Sequence, residues 1–206
     1  MTLLAVAQFA PGADRDANLA AITDLVAQAV ARGAGLVVLP EYSSWFDPEP
    51  GPAWLAAAEE ATGPFVSGLA AITREHGIHL VAGMLQPATG TRVFNTVVAL
   101  DPTGEVVASY RKIHLYDAFG QRESDWVEPG PLDAPETFSW GGFTVGLQTC
   151  YDVRFPESTR RLVDAGADLV LVPAEWVRGP LKEQHWRTLV TARALENTVY
   201  VAAADH

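Results

Sequence analysis

Short apolar runs without polar alternation restrict the fold of this sequence more than any other feature. The runs are "LLAVAQF" (3–9), "LVVLP" (36–40), "IHLVAG" (78–83), "LVLVP" (169–173) and "YVAAA" (200–204). Strands with near-continuous apolar character are typical of sheets that are covered by helices. The chain must therefore supply helices that pack on its sheets.

Stretches with helical spacing lie between these runs. In the first of them Leu19, Ile22, Val26 and Val30 recur at intervals of three or four residues, and either Asp14 or Asp16 can cap its start. Further helices are predicted over 53–61, 64–76, 156–165 and 181–197. Alternation of strands and helices in this order favours an α/β layered fold.

Two other segments predict antiparallel pairs. "RVFNTVVAL" and "EVVASYRK" flank the turn sequence "DPTG" (101–104), and residues 137–148 form a hairpin pattern around Gly141-Gly142. The sheet content is therefore mixed. Residues 116–136 are polar and aperiodic, and a loop of that length in a compact domain is often functional. The length of the chain predicts a single domain over 1–206.

The composition of the chain indicates which binding partners and which cellular compartment to expect. The chain carries 14 basic and 25 acidic residues, for a net charge of −11, and shows no Lys/Arg cluster. Nucleic acid and anionic membranes are therefore not expected partners, and no apolar run is long enough to span a bilayer. A single cysteine excludes an internal disulfide and thiolate zinc clusters, which predicts a cytoplasmic protein.

Three potentially catalytic side chains follow the ends of three different strands. Glu41 comes directly after "LVVLP", Lys112 follows "EVVASYR", and Cys150 follows "FTVGLQ". Functional groups gather at strand ends in open α/β sheets. A carboxylate that accepts the thiol proton and an ammonium that stabilises an anion would together activate a cysteine nucleophile. Each residue taken alone also has a non-catalytic interpretation. Cys150 would be an inert buried residue, Glu41 a solvated loop carboxylate, and Lys112 a surface lysine at a strand edge.

The sequence around these residues resembles one known family. "LVVLPEYS" (36–43), "YRKIHLYD" (110–117) and "CYDVRFPE" (150–157), in this order, resemble the nitrilase, or carbon–nitrogen hydrolase, superfamily. "ADLVLVPAEW" (167–176) and residues 186–204 extend the similarity over essentially the whole chain from Leu3. The resemblance implies a four-layer αββα sandwich and a Glu–Lys–Cys triad, at Glu41, Lys112 and Cys150.

A second glutamate is also typical of the family, between the lysine and cysteine motifs. "QRESDWVEPG" offers Glu123, which fits the pattern better, and Glu128 as the fallback. The implied mechanism is amide hydrolysis through a cysteine thioester that releases ammonia, with no metal or organic cofactor. The backbone N–H of Tyr151 is expected to help Lys112 stabilise the oxyanion.

The form "CYDVRFPE" is most similar to the amidase branch that includes omega-amidases and deaminated glutathione amidases. This implies a small amide substrate that bears a carboxylate, rather than a nitrile. Tyr42, Tyr151 and Trp176 are candidates to contact the substrate or simply to pack near it. Arg154 either meets a substrate carboxylate or pairs with Asp152 or Glu157, and we expect the structural pairing.

Members of the superfamily normally continue, beyond the position of His206, through further strands and a tail that helps dimerisation. The resemblance therefore predicts a chain that lacks these elements and exposes a sheet edge, with a homodimer or higher homo-oligomer expected if enough of the domain is present. Two other readings stay open: an inactive truncated relative, and a related carbamoylase or nitrilase. A glutaminase-type domain is less compatible, because it needs a Cys–His pair and a glycine-flanked cysteine.

Overall fold

The computed structural model describes residues 2–206 and contains nine strands in two sheets. The strands of the first sheet are β1 (Leu4–Val6), β2 (Leu36–Val38), β3 (His79–Pro87), β4 (Val93–Leu100) and β5 (Val106–Arg111). Those of the second sheet are β6 (Thr137–Trp140), β7 (Phe143–Leu147), β8 (Leu169–Pro173) and β9 (Tyr200–Ala204). Within each sheet the strands lie in chain order.

Each sheet combines parallel and antiparallel pairs. In the first sheet β1, β2 and β3 are parallel, and β4 and β5 continue as antiparallel neighbours. In the second sheet β6 and β7 form an antiparallel hairpin, while β7, β8 and β9 are parallel. Gly141 and Gly142 have φ of 59° and 91° at the hairpin turn, a conformation that glycine adopts without strain. The predicted mixed sheet content is confirmed.

Five α-helices cover the sheets. They are α1 (Arg15–Ala31), α2 (Pro52–Ala57), α3 (Pro64–His76), α4 (Pro156–Asp164) and α5 (Lys182–Asn197). Of the two candidate caps of α1, Asp14 and Asp16, the structure uses Asp14, whose carboxylate accepts hydrogen bonds from the N–H groups of Asp16 and Ala17. Two short 3₁₀ helices, Glu123–Asp125 and Cys150–Arg154, are elements that the helix and strand patterns above do not predict.

Three apolar layers define an αββα order. Side chains of α1 and α3 pack on the outer face of the first sheet, around Ile22 and Phe65. A second cluster joins both sheets face to face, for example Val38 and Val97 with Leu147 and Leu171. The third packs Leu162 of α4 and Trp186 of α5 on the second sheet. The predicted four-layer sandwich is therefore confirmed. Within residues 2–206, none of the helices combines the length and apolarity needed to cross a bilayer.

Candidate active site

The site lies where several strands end. Glu41 follows β2, Lys112 follows β5, Cys150 follows β7 and Glu175 follows β8. All four line one cavity of about 250 Å³. The structure therefore brings the carboxylate, the ammonium and the thiol from three strand ends to one cavity.

The Lys112 ammonium lies between two carboxylates. Its Nζ is 2.9 Å from Glu41 Oε1 and 3.0 Å from Glu123 Oε1. The side chains are 3%, 1% and 10% exposed for Lys112, Glu41 and Glu123. Burial opposes the charged ammonium, but the charges of Glu123 and Glu41 outweigh it and raise the pKa of Lys112 well above its usual value. The ammonium therefore remains charged throughout the neutral range.

Two further groups fix the carboxylate of Glu41. Asn95 Nδ2 donates to Oε1 at 2.6 Å, and the backbone N–H of Glu175 donates to Oε2 at 2.7 Å. With Lys112, Oε1 accepts two hydrogen bonds and Oε2 accepts one. A carboxylate oxygen has two lone pairs, so Oε2 keeps acceptor capacity for one further hydrogen.

Cys150 begins the 3₁₀ helix Cys150–Arg154 with φ of 45°, an unusual conformation for a residue other than glycine. Its Sγ donates to the backbone carbonyl of Glu175 at 3.5 Å, so the residue that bonds Glu41 also contacts the thiol. Burial raises the pKa of the Cys150 thiol well above its usual value, the charge of Glu41 adds to this, and Lys112 opposes it. The resting group is a thiol, which needs a base before it can attack.

The second glutamate is Glu123 by position. Besides Lys112, it accepts hydrogen bonds from the Tyr42 hydroxyl at 2.7 Å and from the backbone N–H of Tyr116 at 2.6 Å. Glu128, the fallback, pairs instead with Arg92 at 3.2 Å and does not line the cavity. The preference for Glu123 over Glu128 agrees with this geometry.

Arg154 departs from the expected pairing. Within residues 2–206 its guanidinium forms no ion pair with Asp152 or Glu157. It lies 5.0 Å from the ring centroid of Trp176 and 5.6 Å from that of Tyr151. The structural pairing was wrong, because Asp152 is fully engaged elsewhere.

Asp152 organises the loop around the cysteine. Its carboxylate accepts hydrogen bonds from the Tyr110 hydroxyl at 2.6 Å, from the backbone N–H of Thr149 at 3.0 Å and from His114. The His114 ring lies 2.8 Å from the carboxylate and stacks on Phe155. His114 therefore supports the loop through its hydrogen bonds to Asp152 and its stacking on Phe155.

The predicted aromatic candidates surround the cavity. Tyr42, Tyr151 and Trp176 all line it. Tyr42 has φ of 54° and packs edge-on against Trp54, with ring centroids 5.1 Å apart. Burial and the charge of Glu123 raise the pKa of the Tyr42 hydroxyl well above its usual value, so it acts as a donor.

Sequence reasoning missed three residues of the site. Asn95 is a polar side chain inside an apolar strand, which is a signal that it needs a buried partner. Glu175 occupies the same strand-end position as Glu41, one residue further along, and the strand-end argument applied to "LVLVP" identifies it. Lys182 also lines the cavity, 70 residues after the other lysine of the chain, with no local pattern to mark it.

Comparison with known proteins shows the family of this chain. The family described as carbon-nitrogen hydrolase matches residues 3–206. The chain is 40% identical to a deaminated glutathione amidase of Escherichia coli O157:H7, over 98% of this chain and 76% of that protein. It is 32% identical to an omega-amidase of Xenopus tropicalis, over 98% and 73% of the two chains.

Solved structures of an amidase from Nesterenkonia sp. AN1 have the same fold. One superimposes with a TM-score of 0.87 at 34% identity, covering 100% of this chain and 78% of that one. Another, which contains butyramide, gives a TM-score of 0.84 at 33% identity over 98% and 76% of the chains. The similarity therefore extends over the whole described sandwich, and the chain belongs to the carbon–nitrogen hydrolase family, within the amidase branch of the nitrilase superfamily.

Proposed function

We propose that this chain hydrolyses the carbon–nitrogen bond of a small amide through a thioester on Cys150. The observation that carries the proposal is the buried cluster of Glu41, Lys112 and Cys150 on one cavity. A base, a fixed positive charge and a thiol are the groups that acyl transfer through cysteine requires. A metal or an organic cofactor has no part in the steps below.

In the first step Glu41 is the general base. Its carboxylate accepts the thiol proton, most directly on Oε2, and the Cys150 sulfur attacks the amide carbonyl carbon to form a tetrahedral intermediate. A base is needed because the raised pKa of the Cys150 thiol leaves little thiolate present before substrate binds. Burial of both groups keeps the proton transfer away from bulk water.

Charge on the carbonyl oxygen is stabilised by Lys112 and by the backbone N–H of Tyr151. Lys112 is suited to this because its ammonium is already held in place by Glu41 and Glu123. Glu41, now protonated, transfers its proton to the leaving nitrogen, and ammonia departs as the thioester forms. Glu41 then takes a proton from water as the water oxygen attacks the thioester carbonyl. The C–S bond breaks to release the carboxylic acid, and Glu41 returns the proton to the sulfur, which regenerates the thiol.

Glu123 is a positioning residue in this scheme. It fixes the ammonium of Lys112 and is itself fixed by Tyr42 and by the backbone of Tyr116. Its carboxylate also lines the cavity and can accept a hydrogen bond from the substrate amide N–H₂. The residue therefore orients both the substrate amide and the group that stabilises its oxyanion.

For the substrate we propose a short amide with a carboxylate at its other end. The relatives named deaminated glutathione amidase and omega-amidase support this class. Arg154, which has no carboxylate partner within residues 2–206 and lies over the cavity residues Tyr151 and Trp176, is a candidate to meet that carboxylate. The Nesterenkonia amidase complex with butyramide favours a second class, neutral aliphatic amides.

The proposal is tested by ammonia release from purified wild-type protein and from Cys150→Ala. We expect turnover of one or more short amides by the wild type and a loss of several orders of magnitude in the alanine variant. Intact mass during turnover of a slow ester or amide should show an acyl adduct on the wild type and none on Cys150→Ala. Equal activity of the two proteins would rule out the covalent route.

We also propose a cytoplasmic homo-oligomer. The single cysteine leaves no internal disulfide to favour an oxidising compartment. Among the described strands, β1 and β9 are edge strands that contact one another, and they expose Val6 and Tyr200 at 47% and 69%. Apolar side chains at unpaired edges are favourable positions for contact with a second copy.

A further inference from the structure

The chain has two lysines, and both lie at the same cavity. Lys112 and Lys182 are 3% and 7% exposed, and each lines the space that Cys150 opens into. Lysine is among the residues least often fully buried unless it is paired. Lys112 meets that condition through Glu41 and Glu123. Lys182 calls for a separate explanation.

The surroundings of Lys182 are aromatic rather than acidic. Its Nζ donates to the Tyr116 hydroxyl and lies 4.6 Å from that ring centroid. It is 4.2 Å from the ring centroid of Phe119 and 5.7 Å from that of Trp176. Within residues 2–206 it forms no ion pair with a carboxylate. Aromatic faces offset only part of the cost of a buried ammonium.

A second cation shares two of these rings. Arg154 lies 5.0 Å from the centroid of Trp176 and 5.7 Å from that of Phe119, and its buried Nε has no hydrogen-bond partner. Lys182 is also the first residue of the 16-residue helix α5, at the positive end of the helix dipole. Lys182, Arg154 and the N-terminus of α5 therefore place positive potential at one end of the cavity. Glu183 lies in the first turn of the same helix, but within residues 2–206 no carboxylate forms an ion pair with Lys182 or Arg154.

We infer that Lys182 binds the distal carboxylate of the substrate and makes the enzyme selective for carboxylate-bearing amides. The inference rests on the proposed function, because the same cavity must deliver the amide to Cys150. An incoming carboxylate pairs with an ammonium whose burial and aromatic contacts are already established, so little side-chain entropy is lost on binding. Arg154 adds to the potential across the Trp176 ring.

A purely structural role for Lys182 makes a different prediction. Its ammonium donates to the Tyr116 hydroxyl, and the backbone N–H of Tyr116 donates to Glu123. If Lys182 only supported that loop, its loss would misplace Glu123 and slow every amide alike. Selectivity between charged and neutral substrates separates the two roles.

The experiment compares wild type, Lys182→Met and Lys182→Arg on two amides of similar length, glutaramate and neutral hexanamide. Methionine keeps the apolar stem and removes the charge, whereas arginine keeps the charge. We expect Lys182→Met to lower kcat/KM for glutaramate about 10- to 100-fold, mainly through KM, as for the loss of one charge-assisted contact. Hexanamide turnover should change by about twofold or less, and Lys182→Arg should recover most of the glutaramate activity.

Equal losses on both amides, or no loss on glutaramate, would overturn the inference. Binding of glutarate, followed by calorimetry, tests it without chemistry: the wild type should bind more tightly than Lys182→Met by about the same factor. If the wild type turned over neither amide but bound glutarate through Lys182, the proposed function would fail while the carboxylate site remained. If the wild type turned over amides and neither rate nor glutarate binding depended on Lys182, the proposed function would stand while the carboxylate site would fail.

Discussion

The buried carboxylate of Glu41 accepts hydrogen bonds from three donors, which lie on or directly after three different strands. Asn95 comes from β4, Lys112 follows β5, and the N–H of Glu175 follows β8. Together the three donors restrict the rotation of the carboxylate, and Oε2 still has acceptor capacity. A base fixed in this way needs no reorganisation when the thiol proton arrives.

Asn95 provides the first prediction at this scale. Asn95→Ala removes the 2.6 Å hydrogen bond to Glu41 and the weaker contact to Glu123 at 3.4 Å. We expect kcat to fall about 10- to 100-fold with little change in KM, since substrate contacts remain. Steady-state kinetics measure this. Thr96→Val on the other face of β4 is the matched control, because its hydroxyl bonds to Gln86 away from the triad; an equal loss there would argue for general damage to the strand.

Glu175 provides the second prediction at the scale of single residues. Burial, then the charges of Glu41 and Asp205, raise the pKa of its carboxyl group from 4.5 to about 8. Between these values the folded state binds more protons than the unfolded state, so the free energy of unfolding decreases as pH rises from about 5 to about 8. Glu175→Gln, which stays neutral, should lose this decrease and be more stable than wild type by about 2 kcal/mol at pH 8.5, after allowance for partial solvent access.

Denaturant unfolding at pH 5 to 8.5 checks the sign and size of this effect. The exposed Glu75 of α3 offers a control, Glu75→Gln, which should leave the pH dependence as in the wild type. A Glu175→Gln protein that followed the wild-type curve at every pH would show that the carboxyl group is solvated enough to ionise freely.

At the scale of single elements, strand β3 brings its backbone unusually close to the catalytic segment. The N–H of Gly83 donates to the carbonyl of Pro40, and the Gly83 carbonyl accepts from Ser44. A Cβ at this position would lie 2.6 Å from the backbone nitrogen of Tyr42 and 2.7 Å from the Cα of Glu41. Only glycine permits this close approach of β3 to the backbone of Glu41 and Tyr42.

Gly83→Ala is therefore expected to displace Glu41 and Tyr42 and to reduce kcat by about 100-fold, with a loss of stability of about 1–3 kcal/mol. Ammonia release and thermal unfolding measure the two effects. Gly12→Ala is the matched control, because a Cβ there meets no atom within 4 Å. Wild-type activity in Gly83→Ala would show that the backbone next to Glu41 adapts without cost.

At the scale of the whole molecule, one apolar layer joins the two sheets. Val38, Val97, Leu147 and Leu171 belong to the same buried cluster although they come from both halves of the chain. The halves therefore bury their inner faces only against each other. We propose on this basis that residues 2–206 act as one domain.

This predicts a single cooperative unfolding transition, coincident by far-ultraviolet and near-ultraviolet circular dichroism. Leu147→Ala, in the shared layer, should lower the stability of both halves together by about 2–5 kcal/mol. The exposed Leu132 gives a control, Leu132→Ala, with a change of about 0.5 kcal/mol or less. Two separated transitions would contradict the single domain.

A further prediction for the whole molecule concerns its assembly into a homo-oligomer. If the exposed edge strands β1 and β9 lie in a homo-oligomer, Tyr200→Lys should weaken it, because a charge would be buried at the contact. Sedimentation equilibrium should then show a mass above 22.1 kDa for the wild type and a shift towards the monomer for the variant. A wild type that sedimented as a monomer at all concentrations would remove the proposal.

Much of the architecture could be predicted from local patterns. The apolar runs predicted β1, β2, β3, β8 and β9, and the turn at Gly141-Gly142 predicted the hairpin. The helical spacing, with Asp14 or Asp16 as its cap, predicted the start of α1. These features depend on a few neighbouring residues, whose periodicity and backbone preferences act locally. Strand ends were less certain: β1 is confined to Leu4–Val6, whereas β3 extends to Pro87, because pairing with neighbouring strands sets these limits.

The sequence by itself determined which reactive groups follow which strands, and its motifs marked Glu41, Lys112 and Cys150 as candidates for the catalytic groups. Only the tertiary structure decided that Glu123, rather than Glu128, contacts Lys112. It also decided that Arg154 packs against aromatic rings instead of pairing with Asp152, and that Lys182 lines the same cavity. Each of these depends on side chains far apart in the chain that compete for the same partners. Such competition is settled by packing in three dimensions, and spacing along a sequence does not encode it.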